Sequence, residues 1–197
     1  MVKFEFIPTP LAGLQLVQRQ LISDARGFLS RFYCAEEFRD AGVAKPIAQM
    51  NHTLTKQQGA VRGLHFQLPP HAETKIVSCL HGEIWDIAVD LRRDSPTFLH
   101  WHGEILSADN RKSLLIPEGF AHGFQALTPD CELLYLHTAA YHPEAECGLQ
   151  VSDPRLNIAW RLPIIDLSPR DQNHPFISSD FQGIALCFNP HPTSSVK

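Results

Sequence analysis

The segment Arg62-Gly63-Leu64-His65-Phe66-Gln67, followed by Lys75, carries the residue types of proton-transfer chemistry. Histidine is a base whose proton affinity is readily tuned to neutral pH. A lysine about ten residues on, roughly one hairpin arm away, can supply positive charge where an oxyanion forms. Between them Pro69-Pro70 ends one extended run and lets the chain turn into the next. A base and a cation on neighbouring strands are the minimum for removing a proton from a carbon next to a carbonyl. Strict strand alternation sets Arg62 and His65 on opposite faces, so a shared ligand requires a bulge or twist at Gly63.

Other segments add candidates. The run Ile116-Pro117-Glu118-Gly119-Phe120-Ala121-His122-Gly123-Phe124 reads as a tight loop that presents His122. Tyr135 is either core furniture or, facing a cavity, a phenol that donates a proton to a carbanion. Tyr141 sits where a strand ends and is either a surface aromatic or one that stacks on a nucleobase. Ser168-Pro169-Arg170-Asp171 reads as a turn or helix cap. It gains a chemical role if Asp171 reaches His65, because a carboxylate fixes an imidazole's tautomer and supports its charged form. His65 and His122 together raise a metal reading. Metal-binding barrels pair His-x-His with a carboxylate, however, and Gln67 stands two residues after His65. His100-Trp101-His102 has the pairing, but it lacks a convincing glutamate and lies on an ordinary strand face. No metal and no cofactor are expected.

These residues need a framework of strands. The 15 prolines and 11 glycines cut the chain into short pieces rich in β-branched and aromatic residues, the pattern of an all-β sandwich or barrel. The clearest pair is 74–80, a turn at His81-Gly82, then 83–91. In its second arm Trp85, Ile87 and Val89 share one face; Ile84, Asp86, Ala88 and Asp90 share the other, which is expected to be partly wet or to line a cavity. Further strands are expected at 101–107, 113–116, 123–127 and 132–138, the last with Leu133, Tyr135 and His137 on one face. A short helix is expected at 35–42. From Asp153 on, the chain is rich in Pro, Asp and Ser and should wrap the barrel.

The chain has 197 residues, 44% hydrophobic and 19% charged, which fits one packed domain. A formal net charge of −4 gives no long-range field to attract nucleic acid or an anionic membrane. Cys34, Cys79, Cys131, Cys147 and Cys187 form no CxxC pair, so neither a disulfide framework nor a structural zinc site is expected. The N-terminus is charged too early for a secretory signal, and no run approaches a membrane span. A cytoplasmic, reduced setting follows.

Taken together, these segments resemble the dTDP-4-dehydrorhamnose 3,5-epimerase family of cofactor-free sugar-nucleotide epimerases on the cupin barrel. The matching pieces run in family order: Asp24-Ala25-Arg26-Gly27, Gln49-Met50-Asn51, the segment from Arg62 to Gln67, Lys75, the run from Gly82 to Phe98, Ile116 to Phe124, Tyr135, Tyr141, Glu146, Asp153-Pro154 and Ser168 to Asp171. The resemblance implies a cupin or jelly-roll barrel with a few short peripheral helices, an N-terminal arm over about 1–30 and a C-terminal wrap over about 153–197. It implies His65 as general base oriented by Asp171, Lys75 at the enolate oxygen and Tyr135 as proton donor from the opposite face. It assigns Arg26, Gln49, Asn51, Arg62, His122, Glu146 and Arg170 to sugar and diphosphate, and Tyr141 to the thymine. It also implies a homodimer that exchanges N-terminal strands.

Three positions depart from the family pattern. Arg31 stands where a base-contacting glutamate is usual, Val151 replaces a tryptophan, and Arg170 replaces a lysine. The implied activity is 3,5-epimerisation of a dTDP-linked 4-keto-6-deoxy sugar in deoxysugar and surface-polysaccharide biosynthesis. The competing readings are a single-centre epimerase on another nucleotide sugar, a sugar 3,4-ketoisomerase, a metal-dependent oxygenase and a non-catalytic sugar-nucleotide-binding cupin.

Overall fold

The computed structural model describes residues 3–186, so Cys187 and the end of the expected wrap lie outside the described residues. The strands are β1 (Phe4–Pro8), β2 (Gln15–Arg19), β3 (Leu21–Asp24), β4 (Gly27–Ser30), β5 (Gln49–Thr55), β6 (Val61–Gln67) and β7 (Lys75–His81). They continue with β8 (Glu83–Asp90), β9 (Trp101–Ser107), β10 (Lys112–Ile116), β11 (Phe120–Ala126), β12 (Cys131–His137) and β13 (Glu146–Gly148). The helices are α1 (Ala35–Asp40) and α2 (Pro169–Gln172). Every strand expected from the sequence is present, with ends shifted by up to three residues. The helix expected to reach Gly42 stops at Asp40, and Gly42 takes φ +101°, the left-handed geometry that follows many helix ends.

Two antiparallel sheets face each other, one in the order β1-β2-β10-β7-β12-β5 and the other β13-β6-β11-β8-β9. Alternation sorts the apolar side chains into three layers. Between the sheets, Leu16, Val77, Leu114 and Leu133 meet Ile84, Ala88, Leu106 and Phe124. Outside the six-stranded sheet, Val17, Ile76, Leu115 and Leu136 pack under Phe38 of α1. Phe38 is fully buried, with the ring of Phe4 edge-on at 5.0 Å; burial of such a side chain contributes about 2–3 kcal/mol. Outside the five-stranded sheet, Trp85, Ile87 and Val89 are covered by Leu156, Ile177 and Ile184 of the C-terminal region.

Two expectations need correction. The face of β8 carrying Asp86 and Asp90, expected to be partly wet or to line a cavity, does neither: both carboxylates are fully buried and neither lines the cavity between the sheets. Burial is tolerated because Asp86 accepts from His122, and Asp90 accepts from Arg92, Ser95 and Thr97. The N-terminal 30 residues are not all an arm either. β1 and β2 extend the six-stranded sheet, and only the β3–β4 hairpin stands apart as its own two-stranded sheet. Among the described residues no helix is long and apolar enough to cross a membrane.

Candidate active site

β6 solves the Arg62/His65 conflict with a bulge. Arg62 pairs with Phe124 and His65 with His122, so Gly63 and Leu64 together oppose the single residue Gly123. Only glycine fits at 63. Its φ is +121°, and a Cβ there would lie 2.6 Å from Gly123 Cα and 2.7 Å from His122 O. The extra residue turns Arg62 and His65 into the same cavity, which has a volume of about 920 Å³ and lies between the sheets.

Asp171 reaches His65 from the C-terminal layer. Ser168 caps α2 by accepting the Asp171 N–H at 3.1 Å, and Pro169 opens the helix. The Asp171 carboxylate then lies 2.8 Å from His65 Nε2 and accepts the Gly63 N–H at 3.3 Å. Burial works against its charge, but the hydrogen bond and charge of His65, the Gly63 N–H and the Arg170 guanidinium outweigh it and hold its pKa down to about 2. Asp171 is therefore ionised at neutral pH, and it engages one imidazole nitrogen and leaves the other for a further partner.

Lys75, the first residue of β7, meets the backbone of the same histidine. It is 7% exposed, donates to the His65 carbonyl at 3.1 Å and pairs with Glu73 at 3.3 Å. Tyr135 projects into the cavity from β12, its ring centroid 6.0 Å from that of His122. Burial, aided by the charge of Asp86, pushes its phenol pKa well above the usual tyrosine value. The group therefore stays protonated and able to donate. His122 is not presented by a loop. The turn ends at Gly119, and His122 lies inside β11, 5% exposed and 2.7 Å from Asp86. Burial raises the Asp86 pKa despite the opposing charge of His122, and Asp86 Oδ2 has no hydrogen-bond partner among the described residues.

The cavity mouth gathers other expected residues. Arg62 donates to Thr55 Oγ1 at 2.9 Å. Gln49 donates to Asn51 at 3.1 Å and accepts the Tyr141 N–H at 2.9 Å. The Tyr141 hydroxyl and the Arg170 guanidinium both donate to Glu146, at 2.7 and 2.8 Å. The Tyr141 residue remains 50% exposed, with its ring available to a flat partner.

Two expected residues are not brought to this cavity. Arg26 is bound to Asp24 on the β3–β4 hairpin, and Arg31 is paired with Glu37 at 3.0 Å. Neither lines the pocket. The sequence reading missed Glu73 and His137, which are hydrogen-bonded at 3.0 Å on the cavity wall. It also missed His174, whose Nε2 lies 3.5 Å from Asp171. The position of Glu73, two residues before a lysine destined for burial, was the available signal for the first pair.

On the metal question, His65, Asp171 and His174 bring three ligand atoms within 4.8 Å of one another. The Arg170 guanidinium already places positive charge 3.1 Å from His65 Nε2. His102 does have a glutamate neighbour, Glu104 at 3.7 Å, but Lys112 also pairs with that carboxylate, at 2.8 Å. His100 lies outside β9, so the expected shared strand face does not form.

A histidine–carboxylate pair, an ammonium and a neutral phenol around one cavity of a double-sheet barrel make an arrangement suited to acid–base chemistry on carbon acids. Comparison with known proteins agrees. The dTDP-4-dehydrorhamnose 3,5-epimerase family model matches residues 8–179. The enzyme of that name from Methanothermobacter thermautotrophicus is 39% identical over 176 residues, which cover 88% of this chain and 94% of that one. The crystal structure of dTDP-6-deoxy-D-glucose-3,5-epimerase from Legionella pneumophila, in complex with dTDP-4-keto-L-rhamnose, is similar with a TM-score of 0.85 and 35% identity, covering 92% of this chain and 98% of that one. A dTDP-4-dehydrorhamnose 3-epimerase from Streptomyces niveus is 35% identical over 84% of this chain and 80% of that protein. The chain belongs to the dTDP-4-dehydrorhamnose 3,5-epimerase family, with its cupin-type fold.

Proposed function

We propose that this protein is a cofactor-independent isomerase that epimerises dTDP-4-dehydro-6-deoxyglucose at C3 and C5, a step of deoxysugar synthesis for surface polysaccharide. The observation that carries the reading is the His65–Asp171 pair at 2.8 Å with Lys75 against the same histidine, in a cavity that Tyr135 also lines. The C4 ketone makes the protons on C3 and C5 removable. His65 takes the proton, the C–H electron pair becomes the new carbon–carbon double bond, and the carbonyl π pair moves onto O4. Asp171 steadies the imidazolium. Lys75 meets the charge on O4; by analogy with oxyanion-hole donors it lowers the barrier by about 3–4 kcal/mol. The O4 pair re-forms the ketone as Tyr135 returns a proton to the opposite face of the carbon; Tyr135 is then reprotonated from solvent and His65 gives its proton up to solvent. Repetition at the second carbon completes the reaction.

Arg62, Gln49, Asn51, His122, Glu146 and Arg170 bind the sugar and diphosphate, and Tyr141 stacks on the base. Arg26 and Arg31 act from a second copy of the chain, in a homodimer that exchanges its N-terminal hairpin. Support comes from their absence from the lining of this chain's own cavity, from Phe28 and Leu29 exposed at 68% and 67% on β4, and from the edge position of β5 among the described strands, beside exposed Met50. The cysteines at 34, 79, 131 and 147 are free thiols, which fits a reducing cytoplasm.

The test is incubation in heavy water with 4-keto-6-deoxy sugars on dTDP, CDP, GDP and UDP, read by NMR. Deuterium at both C3 and C5 of the dTDP sugar is expected. Deuterium at one carbon only makes it a single-centre epimerase. Tight dTDP binding with no exchange makes it a binding protein.

A further inference from the structure

Glu73 and His137 are absent from the proton-transfer set, yet both are almost wholly buried on the cavity wall, with side chains 8% and 12% exposed. A buried lysine ammonium needs a counter-charge. For Lys75 that is Glu73, whose Oε1 lies 3.3 Å from Nζ. The second carboxylate oxygen, Oε2, lies 3.0 Å from His137 Nδ1. On the far side of the ring, Asn51 Nδ2 lies 3.5 Å from Nε2. Asn51 Oδ1 already accepts from Gln49, so its Nδ2 faces His137 as a donor. Nε2 must then accept, and the ring proton sits on Nδ1, donated to Glu73.

The result is one directed chain of hydrogen bonds. It runs from the Tyr141 N–H through Gln49, Asn51 and His137 to Glu73, where it meets the Lys75 ammonium. Lys75 donates a second N–H to the His65 carbonyl, leaving one for a ketone oxygen.

We propose that Glu73 and His137 are positioning residues for Lys75: Glu73 holds the ammonium beside His65, and His137 fixes Glu73 and ties it to the Tyr141 end of the cavity. This deepens the epimerase reading and rests on it for the role of Lys75. Burial works against the Glu73 charge, but the hydrogen bond of His137 and the charge of Lys75 outweigh it, and its pKa lies below the usual carboxylate value. The other groups around Lys75 do not replace Glu73. His65 contributes its carbonyl, Asp86 is engaged by His122, and the register partner on β10 is the apolar Ile116.

The consequence is a pH signature. In Glu73→Gln the buried ammonium loses its counter-charge, and burial then favours the neutral amine. The Lys75 titration, followed by NMR of 13C-labelled lysine and assigned by its loss in Lys75→Met, should move down by about one pH unit or more. The alkaline limb of kcat for deuterium uptake should move with it. At neutral pH kcat should fall about tenfold, while the affinity for dTDP measured by calorimetry stays at the wild-type value.

His137→Leu should shift the titration the same way. His137→Asn, whose Nδ2 replaces the Nδ1–H donor, should restore it. An unchanged Lys75 titration in a Glu73→Gln protein that binds dTDP normally overturns the inference. Should that variant not fold, identical titrations in His137→Leu and His137→Asn overturn it. Absence of deuterium uptake in the wild type defeats the epimerase reading instead, and the Lys75 titration still decides the positioning role.

Discussion

His65 and Asp171 are 106 positions apart in the chain and 2.8 Å apart in space. The same carboxylate accepts the Gly63 N–H, so it holds both the imidazole and the bulge that aims it. Orientation of an imidazole by a buried anion is the arrangement that lets histidine take a proton and keep it long enough to matter.

Removal of the base should separate from removal of the acid. His65→Asn should lower solvent exchange at the substrate carbons by about 10³-fold or more. Tyr135→Phe should leave wash-out of the substrate proton faster than inversion. NMR of residual substrate and product in heavy water measures both. Exchange at the wild-type rate in His65→Asn removes His65 from its role, and equal loss of both processes in Tyr135→Phe makes the phenol a positioning group.

Asp171→Asn should reduce kcat by about 10²–10⁴-fold with little change in dTDP affinity. Its acid behaviour is signed. The folded pKa of about 2 lies below the ordinary 3.8, so the ionised group stabilises the fold above about pH 4 and loses that effect as the pH falls toward 2. The stability gap between wild type and Asp171→Asn, from urea unfolding, should therefore narrow across that interval. A gap constant with pH would contradict it.

Gly63→Ala places a methyl group against backbone atoms 2.6 and 2.7 Å away at a φ of +121°. A loss of about 2–4 kcal/mol in unfolding free energy is expected, together with loss of activity as the bulge shifts. Chemical denaturation and the exchange assay check both. An alanine variant of wild-type stability would mean that the bulge relaxes without glycine.

The hairpin should matter to assembly. Replacement of Phe28 and Leu29 by serine is expected to convert a dimer to monomer in light scattering and to weaken dTDP binding, because Arg26 and Arg31 leave with the hairpin. Monomeric wild type would end the exchange proposal.

Much of the framework was legible because it depends on short-range pattern. Alternation along β8 assigned Trp85, Ile87 and Val89 to one layer and Ile84 and Ala88 to another, as found. The mismatch between Arg62 and His65 pointed to a bulge at Gly63. What failed depended on distant partners. The dryness of Asp86 comes from His122, 36 residues on, and His122 looked like a loop residue because Pro117 and Gly119 dominate its neighbourhood. Glu73 and His137 are 64 residues apart, and the one local signal, a carboxylate two residues before Lys75, says nothing of the histidine. The role of Asp171 followed from the resemblance rather than from its own segment, a four-residue helix.

The C-terminal layer carries a consequence for synthesis. β6 emerges from the ribosome about a hundred residues before the carboxylate that orients its histidine. A nascent chain can thus close most of its barrel while its base is still unsupported. On the proposed mechanism competence arrives late, when the last segment docks, so a chain that stalls or is clipped before Asp171 should be far less active than the full one.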